Sequence, residues 1–183
     1  MSEYKQPTWE EQIKIPDRYK GATWEDVPLN IQEHFSKMKE THKGLFLYGE
    51  VGTGKTHIAY ALHRNAPKSG IKSMMVNTVE LFKNMRDEIS RGAYDKQRPT
   101  EQVMEYEGVV IFDDVGVEKA TDFVVEQLYL VINKRYNEMR PTIFTSNFNL
   151  DKLADRIGDR IPSRIVEMCT IIHLEGEDKR FNK

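Results

Sequence analysis

The sequence predicts an α/β domain built on a mainly parallel sheet with helices packed on its faces. Three observations carry that prediction. Five short apolar runs, at 44–49, 71–77, 108–114, 141–147 and 169–176, alternate with stretches of helical periodicity, the pattern of parallel strands joined by crossover helices. The run Val109-Val110-Ile111-Phe112 is apolar without alternation, as a strand covered on both faces is. The first run passes into its helix through a glycine-rich turn. With 39% hydrophobic and 10% aromatic residues among 183, the chain has the material for one domain core and is too apolar for wholesale disorder.

The elements follow in order. The first 30 residues are polar, carry Pro7, Pro16 and Pro28 with Trp9 and Trp24, and are expected to lie as an arm on the domain, anchored by the two tryptophans. In Ile31-Gln-Glu-His-Phe-Ser-Lys-Met-Lys-Glu-Thr-His-Lys-Gly44 the residues Ile31, Phe35 and Met38 fall at helical spacing, and Gly44 is expected to end that helix. This divides the chain into an arm with its first helix, 1–40, and a main domain, 41–183. After the strand at 44–49, Lys55 to Ala66 reads as a helix stopped by Pro67, and 71–77 as a second strand with Met74 and Met75 in its core. A helix from Thr78 to Gly92 and a short one from Thr100 to Glu107 lead to the strand at 108–114. Asp122 to Met139 carries Phe123, Val124, Leu128, Val131 and Ile132 on one stripe. The strand at 141–147, a short helix from Asp151 to Arg156 and the strand at 169–176 complete the domain. Arg156, Arg160 and Arg164 recur every four residues, but Gly158 and Pro162 predict two short helices there. These arginines are either a solvated face paired with Asp155 and Asp159, or include one that reaches into a neighbouring subunit.

Composition excludes several classes. Lys plus Arg is 27 and Asp plus Glu is 29, a formal net charge of -2, so the chain is no polycationic nucleic-acid coat. The lone Cys169 excludes an intramolecular disulfide and a cysteine zinc site. No apolar run has the length of a membrane span and 1–20 holds no signal-peptide core, so a soluble cytoplasmic protein without membrane contact is expected. His34, His42, His57, His63 and His173 show no metal-ligand spacing.

The chemistry begins at Gly49-Glu50-Val51-Gly52-Thr53-Gly54-Lys55-Thr56, which fits G-x-x-x-x-G-K-[ST] at every fixed position. Glycines let the backbone turn so that successive N–H groups face phosphates, and the helix that follows adds positive potential there. Lys55 would reach the β- and γ-phosphates, the Thr56 hydroxyl would ligate Mg²⁺, and His57 continues the loop onto its helix. A strand before and a helix after are what a chance match would lack. The strand at 108–114 ends in Asp113 and Asp114. Asp113 is the candidate to hold Mg²⁺, and Asp114 the candidate general base for the attacking water. Thr145-Ser146-Asn147 ends the next strand on the same sheet edge, where either Asn147 or Thr145 could orient the water or touch the γ-phosphate. Tyr19 and Trp24 are candidates to flank the adenine.

The ordered set GEVGTGKT, VVIFDDVG, TIFTSN and DRIPSRI, with the opening Ile15-Pro16-Asp17-Arg18-Tyr19 and Ala22-Thr23-Trp24, resembles the AAA+ ATPases, in the branch of DnaC/DnaI-type helicase loaders and IstB-type transposition ATPases. The resemblance covers roughly 15–180. It implies a P-loop NTPase fold with a five-stranded parallel sheet in the order 5-1-4-3-2, and ATP sites shared between subunits. It also implies Walker A at Gly49 to Thr56, Walker B at Asp113 and Asp114, sensor 1 at Asn147, and an arginine finger at Arg164 with Arg160 beside it. In this branch a helical element after the second strand helps subunits pack around single-stranded DNA; Thr78 to Glu107 is long enough for one, with Lys83, Arg86 and Arg91 as candidate phosphate contacts.

Three departures modify the expectation. Asp114 is one methylene shorter than the glutamate many relatives carry, which predicts slow hydrolysis. The forty residues before the main domain are too few for a helicase-gripping module. The chain stops soon after the last strand, leaving Arg180 as the candidate near the sensor 2 position and no room for a helical lid. The resemblance implies an ATP/ADP-binding, Mg²⁺-dependent ATPase of a bacterium, or of a phage in its host, acting on single-stranded DNA and a replicative helicase. The alternatives are an IstB-like transposition ATPase, a P-loop small-molecule kinase, and an adaptor that binds ATP without hydrolysing it.

Overall fold

The structure, a computed structural model, describes residues 15–90, 99–117 and 121–176. Two single-turn 3-10 helices, Asp17–Tyr19 and Trp24–Asp26, precede α1 (Leu29–Ser36), α2 (Met38–Thr41), β1 (Gly44–Tyr48) and α3 (Lys55–Asn65). Then follow β2 (Ser73–Asn77), α4 (Thr78–Ser90), α5 (Pro99–Glu105), β3 (Val109–Asp113) and α6 (Asp122–Asn137). β4 (Thr142–Ser146), α7 (Leu150–Ile157), α8 (Arg160–Met168) and β5 (Cys169–His173) close the order. The strands are parallel throughout, in the order β2-β3-β4-β1-β5, which is 5-1-4-3-2 read from the other edge.

The pleat divides each strand between two helical layers. Leu45, Leu47, Ile111 and Ile143 face one side, where they share a buried cluster with Ile31 and Phe35 of α1 and Ala59 and Leu62 of α3. Phe46, Val110, Phe112 and Phe144 face the other, against Leu128 and Ile132 of α6, Leu153 of α7 and Ile165 of α8. Phe112 stacks on Phe144 with ring centroids 5.5 Å apart. Burying each of these large side chains stabilises the sandwich by about 1.5–3 kcal/mol. Sheet register then brings the carboxyl ends of neighbouring strands level: Tyr48 pairs with Ser146, and Asn77 with Asp113.

Three sequence expectations are corrected. The first helical run ends before Gly44: His42 takes the left-handed conformation (φ 55°), and its N–H bonds to the Met38 carbonyl. Gly44 opens β1 instead, where a Cβ would lie 1.8 Å from the Thr142 carbonyl oxygen. Met74 and Met75 are half-buried rather than core, because β2 is an edge strand with a neighbour on one side only. Pro162 does not break a helix. It sits in the first turn of α8, where a missing N–H costs nothing, and the division between α7 and α8 falls at Gly158 (φ 78°).

A buried arginine ties the layers together. Arg135 of α6 is fully buried. Its Nε donates to Thr142 Oγ1, one terminal nitrogen to the Val103 and Tyr106 carbonyls, and the other to those of Gly108 and Pro141, over 2.8–3.2 Å. All five guanidinium donors are used, and α5 is thereby fixed to the start of β3 and β4. Burial pushes the group down to about 10, so it stays charged at neutral pH.

Candidate nucleotide-binding site

The turn between β1 and α3 depends on glycines where the backbone demands them. Gly52 and Gly54 have φ of 90° and 94°, a region that carries no penalty without a Cβ. A Cβ on Gly49 would meet the Leu174 carbonyl oxygen at 2.2 Å, because the segment after β5 crosses the loop and Leu174 N–H bonds to the Tyr48 carbonyl (2.7 Å). Val51 stands exposed at the tip, while Thr53 is buried and donates to the Glu50 carbonyl (2.9 Å). The buried Lys55 ammonium donates to the carbonyls of Gly49 (2.9 Å) and Glu50 (2.7 Å). The amino end of α3 and its dipole favour an anion over this loop.

The acidic pair lies beside it. Asp113 Oδ1 accepts from Thr56 Oγ1 (3.1 Å) and from Thr145 Oγ1 (2.6 Å), so one carboxylate oxygen joins the phosphate loop to β4. Thr145 Oγ1 in turn accepts the Asp114 N–H (3.0 Å). Thr78, at the start of α4, donates to the carbonyls of Asp113 and Asp114 (3.1 and 3.3 Å), and Ser146 Oγ to that of Val115 (2.7 Å). Burial holds the Asp113 carboxyl above the usual range. The Asp114 charge adds to the rise, while the Thr145 and Thr56 hydrogen bonds and Lys55 oppose it. A buried carboxylate carrying that cost is suited to a cation. Thr56 and Asp113 supply the oxygen donors that Mg²⁺ takes beside a phosphate, with water completing the shell. Asp114 turns through φ 59°, a conformation aspartate tolerates. Its half-buried carboxylate has no hydrogen-bond or ion-pair partner among the described residues.

The remaining candidates separate. Asn147, half-buried just past β4, has a side-chain amide without a partner among the described residues. His57 leaves the loop: its Nε2 lies 2.9 Å from Asp26 Oδ2, where it holds the Asp26 carboxyl below its ordinary range and fastens the amino-terminal segment to α3. Trp24 packs on Phe35 (6.0 Å between centroids), whereas Tyr19 stacks on Tyr60 (4.6 Å), one helical turn from Thr56. Arg156 donates to the Gly116 carbonyl (2.7 Å) and lies over Phe148. Arg160 lies over Tyr129, and Arg164 over Tyr136 with Nε on Asn133 Oδ1 (3.2 Å). Among the described residues the ion-pair partner of this set is Glu167, 4.0 Å from Arg164, not Asp155 or Asp159. Lys83 and Arg86 are exposed on α4; Trp9, Arg91 and Arg180 lie outside the described residues. Sequence reasoning missed Thr78 and Arg135. Thr78 carried a weak signal as the first residue after a strand.

The model of the IstB-like ATP binding protein family matches residues 33–183. The chain belongs to that family. Its relatives include the replicative helicase loader DnaI of Bacillus subtilis, 25% identical over 87% of this chain and 58% of its own length. Another is an insertion sequence IS5376 putative ATP-binding protein of Geobacillus stearothermophilus, 29% identical over 76% and 55%. The chain thus spans little more than half the length of these relatives. A crystal structure of the DnaC helicase loader superposes with a TM-score of 0.76 at 27% identity, covering 87% of this chain and all of that one. The P-loop AAA+ arrangement of this IstB-like chain is therefore that of the DnaC helicase loader structure. Among the described residues no helix is long and apolar enough to cross a membrane.

Proposed function

We propose that this IstB-like chain binds Mg²⁺-ATP at the carboxyl edge of its sheet and hydrolyses it as a cytoplasmic AAA+ ATPase of DNA replication. Its task would be to load, or help load, a replicative helicase on single-stranded DNA, assembling as a homo-oligomer through shared ATP sites. The observation that carries the proposal is the hydrogen-bonded line Thr56–Asp113–Thr145, with Asp114 beside it and the phosphate loop at its end.

Each side chain then has a task. Lys55 exchanges the Gly49 and Glu50 carbonyls for phosphate oxygens, drawing negative charge toward the leaving ADP. Mg²⁺, held through Thr56 and Asp113, would neutralise charge on the β- and γ-phosphates. Asp114 accepts the proton of the attacking water, and the Asn147 amide orients that water. Arg164, its side chain already 30% exposed, would leave Tyr136 and Asn133 to reach the γ-phosphate of a neighbouring subunit. Lys83 and Arg86 on α4 would contact the phosphates of the strand.

A second reading, an ATPase of transposition, is favoured by the insertion-sequence relative. Capture of a purified replicative helicase, against a purified transposase, separates the two. Lys55→Ala should abolish ATP binding, whereas Asp114→Asn should keep binding and lower turnover by about 10²-fold or more. Wild-type binding without turnover would make the chain an adaptor. Turnover that requires a small-molecule phosphate acceptor would make it a kinase. Either result would overturn the proposal.

A further inference from the structure

The turn after β3 is buried at Val115 and Gly116, so its peptide groups need partners. β4 supplies three. The Asp114 N–H bonds to Thr145 Oγ1 (3.0 Å), the Val115 N–H to the Thr145 carbonyl (2.9 Å), and Ser146 Oγ donates to the Val115 carbonyl (2.7 Å). The Gly116 carbonyl is met from the helical layer instead. It accepts Arg156 Nε at 2.7 Å, and the guanidinium lies 4.6 Å from the centre of the Phe148 ring. α7 presses on the same peptide: a Cβ on Gly116 would stand 2.5 Å from Leu153 Cδ1 and 3.3 Å from Phe148 Cδ2. Leu153 and Arg156 are three residues apart and share a face of α7. One helix face thus grips the turn both by packing and by a charge-assisted hydrogen bond, although Arg156 is otherwise exposed.

The grip acts on Asp114. Its φ of 59° is one that aspartate tolerates without preferring, and the Val117 N–H closes the turn on its carbonyl (3.3 Å). Released at Gly116, the turn has an easier backbone conformation into which Asp114 can relax, and the carboxylate moves with it. We propose that Arg156 is a positioning residue for Asp114, serving the site of its own subunit by fixing the turn that aims the carboxylate. It is then neither a member of a solvated face nor a group lent to a neighbouring subunit. This role rests on the reading of Asp114 as the base for the attacking water. Misplacing such a group by about 1 Å costs up to about 10²-fold in rate. The phosphate loop follows β1, which β4 separates from β3, so its hold on ATP is not touched. The loss falls on turnover and not on nucleotide affinity.

The experiment is single-turnover hydrolysis of radiolabelled ATP by the full chain and by Arg156→Gln, Asp114→Asn and the double variant. Arg156→Gln should lower the rate about tenfold or more with ATP affinity unchanged. Hydrogen exchange should quicken in the peptide that covers Asp114–Val117 and stay as it was elsewhere. Arg156→Lys, which keeps a donor for the carbonyl, should recover part of the rate. In the Asp114→Asn background, Arg156→Gln should cost less than about twofold, because a residue that acts through Asp114 has nothing left to aim. An unchanged rate in Arg156→Gln, or an equal cost in both backgrounds, would overturn the inference. So would a rate restored by mixing Arg156→Gln with Lys55→Ala chains, since that arginine would then be working in a neighbour's site. Each of these results leaves the proposed function standing. Asp114→Asn that hydrolyses ATP at the wild-type rate would bring down the role of Asp114 and this inference together.

Discussion

Thr145→Val is the perturbation that asks most of the site. Valine keeps the shape and deletes a hydroxyl that is buried and doubly engaged, donating to Asp113 Oδ1 at 2.6 Å and accepting the Asp114 N–H at 3.0 Å. A hydrogen bond to a buried carboxylate contributes about 1.5–3 kcal/mol, and a buried N–H left without a partner costs about 1 kcal/mol or more. The ligand-free chain should lose about 3 kcal/mol, seen as a fall in melting temperature of about 6–12 °C for a domain of this size. The cost should also depend on pH. Asp113's folded pKa is raised above its unfolded value by burial, with the Thr145 bond opposing that rise. Between those two values the native state binds more protons than the unfolded one, so this group's contribution falls as pH climbs through the window. Removing Thr145 raises the folded value further and extends the window upward. Urea denaturation should therefore show the full cost in mildly alkaline buffer and only about 1 kcal/mol, the orphaned N–H, where Asp113 is protonated. A cost below about 0.5 kcal/mol, or one equal at both pH values, would refute the reasoning, since either means that Thr145 does not support an ionised Asp113.

Two further outcomes test the frame around the site. Arg135→Met should destabilise by about 4 kcal/mol, because four carbonyls and the Thr142 hydroxyl lose a buried charged donor; urea unfolding measures it, and Arg135→Lys, with three donors, should recover only part. His63, buried on α3 with Nδ1 2.8 Å from Ser73 Oγ, is pushed by burial from 6.5 to about 4. The unfolded chain then binds more protons in that interval, so up to about 3 kcal/mol of stability should be lost as pH falls from 6.5 toward 4, and His63→Gln should flatten that slope in acid denaturation.

The legibility of this protein in its sequence followed the range of each interaction. Apolar runs and glycine spacing are local, so the strands, the phosphate loop and the Asp113–Asp114 strand end were readable to within a few residues. Sheet register is not local. Only the pairing of β3 with β4 sets the Thr145 hydroxyl on Asp113, while Asn147 lies beyond the strand. From Thr145-Ser146-Asn147 alone both remained candidates. Arg135 was hidden by its charge, although Leu128, Val131, Ile132 and Arg135 stand at i, i+3, i+4 and i+7. The stripe pointed inward and its last member followed it, made tolerable by carbonyls that other elements supply. His57 follows the phosphate loop in sequence, and the structure pairs it with Asp26, 31 residues away. The same packing of the amino-terminal segment sets Tyr19 on Tyr60, one helical turn from Thr56.

The central claim is an ATP site completed by a second copy of the chain. Steady-state ATP turnover per protomer, measured across protein concentration with and without single-stranded DNA, tests it directly. The account predicts that turnover per protomer rises with concentration, that single-stranded DNA moves the rise to lower concentration, and that Arg164→Ala removes it while leaving ATP binding intact. Turnover that is flat with concentration and indifferent to Arg164→Ala would contradict it.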